Sequence, residues 1–337
     1  MILKKLPCAT PASVDTRPDS SPKSHRLARA AAALTVLAAS AIGTATLAPA
    51  AHADDNVFTA TQPGKHTITV PKGVTEATVK VWGAGGHGGN GGYGGAGGDG
   101  TTNGGGGGGA GGGGGAAGTA GAFVECRLTG LQEGQTYEVV VGSAEASTLE
   151  GRTSLLRPPS MDTQPQYMSL AVASGGADGG NGGNGGPGGA ASNFFAGGGD
   201  GGRAGAGGQT GTETGPAGCG YAGSNVASEQ RDLNRSEPGQ PGAAGAAGQP
   251  GTYAYAGVAG TGGDGGAGRA TKEGPGKGGD GGKGATGGDG GRKAVTQTDG
   301  HSPRPNAQTG TAGGNGQVTV TWHAKPEFEP VPEDQES

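Results

Sequence analysis

Apolar side chains are scarce in this chain. Hydrophobic residues make up 31% and aromatics 4% of its 337 residues, against the roughly 45–50% apolar content of ordinary globular domains. A conventional hydrophobic core cannot fill a protein of this length. Proline, at 21 residues, is too rare for collagen, which also keeps glycine at every third position throughout. Catalytic signatures are missing too. The sequence has no serine elbow, no HExxH and no Walker motif, and His66, His87, His301 and His323 fall in different stretches with no metal-spaced cysteines beside them.

What the chain has is glycine, 83 residues of it, and 82 of these lie after Ala53. The first 53 residues have the form of an export signal. Lys4, Lys5, Arg17, Lys23, Arg26 and Arg29 precede a charge-free stretch over 30–51, which ends at Ala51-His52-Ala53, an A-x-A cleavage pattern. This predicts a secreted chain beginning at Asp54, with no membrane association after cleavage. The alternative is a retained membrane helix, since the stretch is nearly long enough to span.

Removing residues 1–53 takes away six Lys/Arg and two Asp/Glu, leaving 17 basic and 26 acidic residues, a net charge of −9. That sign argues against nucleic acid as a partner. Cys8 leaves with the signal, so Cys126 and Cys219 remain. In an oxidising compartment the simple expectation is one Cys126–Cys219 disulfide, with free or intermolecular thiols as the alternative.

The stretch 85–100 reads GGH GGN GGY GGA GGD G, with His87, Asn90, Tyr93, Ala96 and Asp99 at every third position. A period of three is neither the 3.6 of an α-helix nor the 2 of a strand. It is the period of a polyproline-II-type helix, with about 3.1 Å of rise and no internal hydrogen bonds. Arrays of the same period cover 179–190 and 278–292, and 239–251 keeps it with one glycine per turn; the run 104–118 lacks clean register. Bare glycine edges allow neighbouring helices to approach closely enough for N–H···O=C bonds. Packed helices built from 83–118, 175–190 and 257–292 are therefore expected, the alternative being flexible linkers.

Between the arrays lie strand patterns. His66–Val70 and Ala77–Trp82 alternate apolar and polar residues around the turn-forming Pro71–Val74, and predict a hairpin. Ala122–Leu128 and Tyr137–Val141 predict a second, with Cys126 on the inward face. Tyr167–Ala173 and Gln317–Trp322 read as further strands, 143–165 as a loop with a short strand near Ser154–Leu156, and 224–238 as a charged surface excursion. The tail 324–337 is acidic and proline-rich and predicts disorder.

Two site patterns fail on inspection. Gly83-x-Gly85-x-x-Gly88 follows a strand pattern, as a dinucleotide fingerprint would, but that chemistry needs a helix whose N-terminus holds the pyrophosphate. Glycine opposes that helix. Asp99, Asp178, Asp200, Asp264, Asp280 and Asp289 lack the apolar position of the calcium-binding β-helix repeat. Asp280, Lys283, Thr286, Asp289 and Arg292 share one edge and read as a solvated face.

Ile68–Thr75, Thr78–Gly86, the Tyr137–Val141 strand, Leu170–Gly176 entering glycine and Gly313–Thr321 together resemble the glycine-rich domain family of bacterial secreted proteins and phage tail-fibre adhesins. The pattern is more distantly similar to the extracellular glycine-rich domain of anaplastic lymphoma kinase-type receptors, whose kinase domain and cysteine pattern are absent here. The resemblance spans most of 57–322. It implies a mainly β fold: an antiparallel sandwich-like base carrying a bundle of polyglycine-II helices over 54–323. It implies no single activity.

The expected function is a non-catalytic extracellular structural, surface-display or adhesive scaffold, with no cofactor, no metal and an unidentified extracellular polymer or protein surface as partner. His87, Asn90 and Tyr93 share an edge of the first array and are the candidate ligand-facing residues, with loops 143–165 and 224–238 as further contact points. A carbohydrate- or ice-binding module and a secreted hydrolase are the alternatives.

Overall fold

The computed structural model describes residues 57–159, 169–192, 198–211, 215–220, 226–234, 238–270, 274–292 and 298–324. The expected signal over 1–53 and the acidic tail over 325–337 lie outside the described residues. Among the described residues the fold is mainly β, with two antiparallel sheets and one short helix.

The strands are β1 (Val57–Ala60), β2 (Gly64–Thr69), β3 (Val74–Trp82), β4 (Phe123–Thr129), β5 (Thr136–Val141), β6 (Ser154–Arg157), β7 (Ala171–Ala173), β8 (Ala217–Cys219), β9 (Ala227–Asn234) and β10 (Gln317–Ala324); α1 is Leu149–Arg152. One sheet runs β1-β10-β3-β4-β9 and the other β2-β5-β6-β7-β8. Their facing residues share one core. Val79, Val81, Val124, Val318 and Val320 come from the first sheet, and Tyr137, Val139, Leu156 and Ala171 from the second. The Cys126–Cys219 disulfide joins β4 to β8 across that core, with Cα atoms 5.7 Å apart and 93 residues between them. A closure of that length stabilises a fold by about 4–5 kcal/mol in the chain-entropy description.

Neither expected hairpin forms. β2 pairs with β5, while β3 lies between β10 and β4 in the other sheet. Alternation tells which face of a strand is buried but not which strand lies beside it. Here both turns carry the chain from one sheet to the other, and they bond to each other. Val70 N–H donates to Gln135 O at 2.9 Å, Gly134 N–H to Val70 O at 3.0 Å and Leu131 N–H to Thr75 O at 3.1 Å. Gly73 and Gly134, each at φ +74°, supply the left-handed residues of these turns.

Other expectations also shift. The charged 224–238 excursion contains β9, an edge strand paired with β4, and its polar residues suit an edge whose outer face meets water. The 143–165 loop contains α1 as well as the anticipated strand, β6. The strand expected over 167–173 is described only as β7, residues 167 and 168 lying outside the described ones.

Among the described residues, eight segments, neither helical nor stranded and all but the last rich in glycine, stand on the two-sheet base: 83–100, 104–122, 174–191, 199–209, 240–252, 255–269, 276–292 and 298–314. The 104–122 segment is at the centre and is buried throughout. Its N–H groups at 105, 108, 111, 114 and 117 donate to 240–252. Those at 106, 109, 112, 115, 118 and 121 donate to 276–292, and those at 107, 110, 113, 116, 119 and 122 to 174–191. Its carbonyls accept from 83–100, 199–209 and 255–269. Six segments thus surround it, each bonded to the next in the order 83–100, 174–191, 199–209, 240–252, 255–269, 276–292 and back to the first. The eighth, 298–314, bonds to both 83–100 and 276–292.

This arrangement explains the run that has no register. A segment covered on every edge has nowhere to send a side chain, so 104–115 is glycine except for Ala110. The requirement is for close approach, not for unusual φ. A Cβ on Gly112 would lie 2.1 Å from the carbonyl oxygen of Gly92.

Two outcomes are expected. Gly112→Ala, which drives a methyl into the backbone of a neighbour, should cost at least about 3 kcal/mol in denaturant unfolding, whereas Ala244→Val on the exposed outer edge of 240–252 should leave the midpoint nearly unchanged. The second concerns Tyr137, whose hydroxyl is buried without a hydrogen-bond partner and whose phenol is pushed above its ordinary value by that burial. Below about pH 10 the phenol is neutral in both folded and unfolded chains. Above it the unfolded chain ionises first, so stability falls as pH rises toward the folded pKa. Tyr137→Phe should remove that contribution to the alkaline loss and raise stability at neutral pH by about 1 kcal/mol, as measured by unfolding across the alkaline range.

Candidate functional site

The direction of the chain gives the eight segments a near end and a far end. β3 runs into Gly83, Ala122 runs into β4, and 298–314 leads to β10, so those ends abut the sheets. Gly98 bonds to Gly107, and Gly100 to Thr298, at the opposite end. The turns 101–103 and 253–254 therefore lie far from the base.

The edge formed by His87, Asn90 and Tyr93 lies midway along 83–100, beside 174–191. Its backbone amides do not bond to another backbone. His87 N–H donates to Asp178 Oδ1 at 2.7 Å, Asn90 N–H to Asn181 Oδ1 at 2.8 Å and Tyr93 N–H to Asn184 Oδ1 at 2.9 Å. The three acceptors are themselves three residues apart, so two segments of equal period run in register and side chains from one satisfy the outward amides of the other. Asn90 does the same for the next segment, its Oδ1 accepting from Gly310 N–H at 3.1 Å. His87 is half-buried and its Nε2 has no partner. Asn90 and Tyr93 are exposed, Tyr93 at 66%.

The aspartates set among glycines play the same part. Asp99 accepts from Gly300 N–H at 2.9 Å, Asp280 from Gly268 N–H at 2.7 Å and Asp289 from Ala259 N–H at 3.0 Å. Asp280 and Asp289 thus tie the 276–292 segment to 255–269, in addition to facing solvent. Lys283 lies 3.2 Å from Asp264 and Lys277 3.5 Å from Asp280, exposed pairs that add little to stability. Among the described residues no three His, Cys, Asp or Glu side chains converge as a metal site would require.

Two further exposed aromatic groups lie elsewhere. Tyr253 and Tyr255 are 56% and 75% exposed and occupy the far turn between 240–252 and 255–269. That turn is tight: Thr252 N–H donates to Tyr255 O at 2.8 Å and Tyr255 N–H to Thr252 Oγ1 at 3.1 Å. Val258, also exposed, follows them. In the ring of six, 240–252 stands opposite 83–100, so this aromatic turn and the Tyr93 edge face different ways. The sequence carries a signal for it in Tyr253-Ala254-Tyr255, two aromatics flanking one alanine in a chain that has few.

A third feature lies at the near end. A cleft of about 650 Å³ is bounded by Ser147 and Leu149, by Arg152 from α1, by Ala177 and Asp178, and by Thr210. Arg152 Nη1 lies 2.8 Å from Asp178 Oδ1 and donates to Gly176 O at 3.1 Å. Part of the 143–165 stretch is thus at a cleft, whereas 227–234 is committed to a sheet.

Asn181→Ala, which removes one acceptor for one outward amide, should lower stability by about 1 kcal/mol and speed exchange of the Asn90 amide without affecting that of Gly92, as read by amide hydrogen exchange. No protein-family model and no curated protein matches this chain.

Proposed function

We propose that this protein is a secreted, non-catalytic scaffold that holds a recognition surface at a fixed distance from its base, in an extracellular structural, display or adhesive role. In this reading the eight glycine-rich segments are polyglycine-II helices. Donors recurring at every third residue on three separate edges are what three residues per turn requires. A segment of this kind some 18 residues long extends roughly 55 Å at about 3.1 Å per residue. The observation that carries the reading is the central 104–122 segment, bonded on all three edges to neighbours that are themselves bonded in a ring. A linker has no use for such bonding, and a body so constrained transmits position rather than motion.

The display surface is the set of far turns. Loops that join regular elements tolerate varied sequence and carry contacts, and Tyr253 and Tyr255 place two amphipathic rings there. Rigid tyrosines contribute contact area at low entropic cost. The resemblance to the secreted and phage-adhesin glycine-rich domains, carried by Ile68–Thr75, Thr78–Gly86 and Gly313–Thr321, agrees with this role.

The test starts from protein recovered from culture medium, whose intact mass should correspond to a chain beginning at Asp54. Immobilised, it is offered cell walls, soluble polysaccharides and surface-protein extracts. Retention of one class, reduced about tenfold or more by Tyr253→Ser with Tyr255→Ser, is the expected result, since buried aromatic anchors are worth 1 kcal/mol and more. Turnover of any offered polymer would overturn the non-catalytic reading.

A further inference from the structure

Asparagine is a thermolabile residue, most of all when glycine follows it. The backbone nitrogen of the glycine attacks Cγ of the asparagine side chain, its proton leaves with the side-chain nitrogen as ammonia, and a succinimide ring closes. Water then opens the ring to aspartate or isoaspartate. Glycine favours the step because it has no side chain to hinder the ring and the backbone freedom to reach it. The chain has five such pairs: Asn90-Gly91, Asn103-Gly104, Asn181-Gly182, Asn184-Gly185 and Asn315-Gly316. All five lie among the described residues, and the fold treats one of them differently.

Four pairs are locked to a neighbour. The nitrogen that would attack is already a donor in each. Gly91 N–H donates to Gln308 O at 2.9 Å, Gly182 N–H to Asn90 O at 2.8 Å, Gly185 N–H to Tyr93 O at 2.8 Å and Gly316 N–H to Gly142 O at 3.0 Å. The side chain under attack is held as well. Oδ1 of Asn90 accepts from Gly310 N–H at 3.1 Å, that of Asn181 from Asn90 N–H at 2.8 Å, that of Asn184 from Tyr93 N–H at 2.9 Å and that of Asn315 from Ala144 N–H at 2.9 Å. Nor is there room to move: a Cβ on Gly91 would lie 2.0 Å from Lys283 O, and one on Gly182 2.0 Å from Gly113 O. Closing a ring at these pairs means parting two packed stretches of chain.

Asn103 belongs to the two-residue turn that joins 83–100 to 104–122 at the far end. Gly104 N–H donates to Thr101 O at 3.4 Å, beyond the usual 2.7–3.2 Å of an N–H···O bond. The acceptor stands three residues back in the same turn, so freeing this nitrogen opens a turn and leaves the segments packed. Local openings of that kind are the least costly in a folded protein. Thr102 is exposed and Asn103 half-buried, which gives water access to the ring.

We propose that Asn103 is a site of spontaneous deamidation in the mature chain, the other four Asn-Gly pairs being protected by the fold. Water is the sole co-reactant. The product places a carboxylate where a neutral amide stood, in a turn that adjoins the aromatic one, since Gly105 N–H donates to Thr252 O at 2.9 Å. The far end therefore gains negative charge as the protein ages.

The experiment keeps the folded mature chain at mildly alkaline pH in heavy-oxygen water and samples it over time by peptide mapping, with electron-transfer fragmentation to separate aspartate from isoaspartate. The expected result is conversion at Asn103 at least about tenfold faster than at any other pair, as the further hydrogen bonds to be opened there imply. Each event takes up one heavy oxygen. In denaturant the five pairs should convert at similar rates, which shows that the fold and not the flanking sequence sets the difference. Asn103→Gln, whose longer side chain disfavours the ring, should abolish the fast conversion and leave the other four sites slow. Comparable rates at all five pairs in the folded chain, or a faster rate at any of the other four, would overturn the proposal. So would an Asn103 that stays intact while the denatured chain converts.

Discussion

The structure depends on backbone amides meeting backbone carbonyls between segments that have no Cβ to keep them apart. Glycine is the costliest residue to order, because the unfolded chain loses most freedom there. The return comes from pairing nearly every N–H of the central 104–122 segment with a carbonyl in a dry interior, where such bonds are stronger and unpaired groups are heavily penalised. The methyl-sized gap left by the missing Cβ is what makes the distances of about 2.8–3.0 Å attainable across all its edges. Apolar burial contributes mainly below, in the core shared by the two sheets, which holds the near ends of the segments in register.

Coverage then dictates composition, segment by segment. The fully surrounded 104–122 segment is almost all glycine or alanine. The 83–100 and 174–191 segments keep two glycines per turn and send the third side chain outward, and 240–252 keeps one glycine per turn, turned toward the centre. Outward amides are the recurrent difficulty of such a body, and two devices deal with them. Asp and Asn side chains from a neighbour accept from them, as at Asp178, Asn181 and Asn184. Elsewhere proline removes the donor: Pro187, Pro241 and Pro250 occupy outward positions of their triplets and are exposed. Both devices limit lateral growth of the packed array, much as charges and prolines blunt the edge of a sheet.

This division separates the places where the molecule can do chemistry from those where it cannot. Along the flanks many side chains satisfy amides of a neighbouring segment, as Asn90 does for Gly310, while Tyr93 on the same edge stays exposed. At the far end the turns carry the exposed Tyr253 and Tyr255, and at the near end α1 and the segment roots enclose Arg152, whose Nε and Nη2 are buried without a partner.

The sequence by itself determined the period of three, the alternating strands and the mainly β class, because each of these follows from local spacing of side chains. It also contained both cysteines of the disulfide, with Cys126 on the apolar face of its strand, though spacing could not establish that Cys219 lies opposite. Strand partners were another matter. β2 and β3 look like a hairpin in one dimension, and only the interlocked turns at 70–75 and 131–135 send them to different sheets. The unregistered 104–118 run looked least ordered and is the most buried, because an edge covered from outside leaves no side chain to mark the register. The bonded segments 199–209 and 298–314 carry no clean triplet of their own, the second having little glycine, and their order comes from neighbours distant in the chain. Tertiary packing alone decided which edges are covered, since each hydrogen bond of the array joins residues that no local pattern relates.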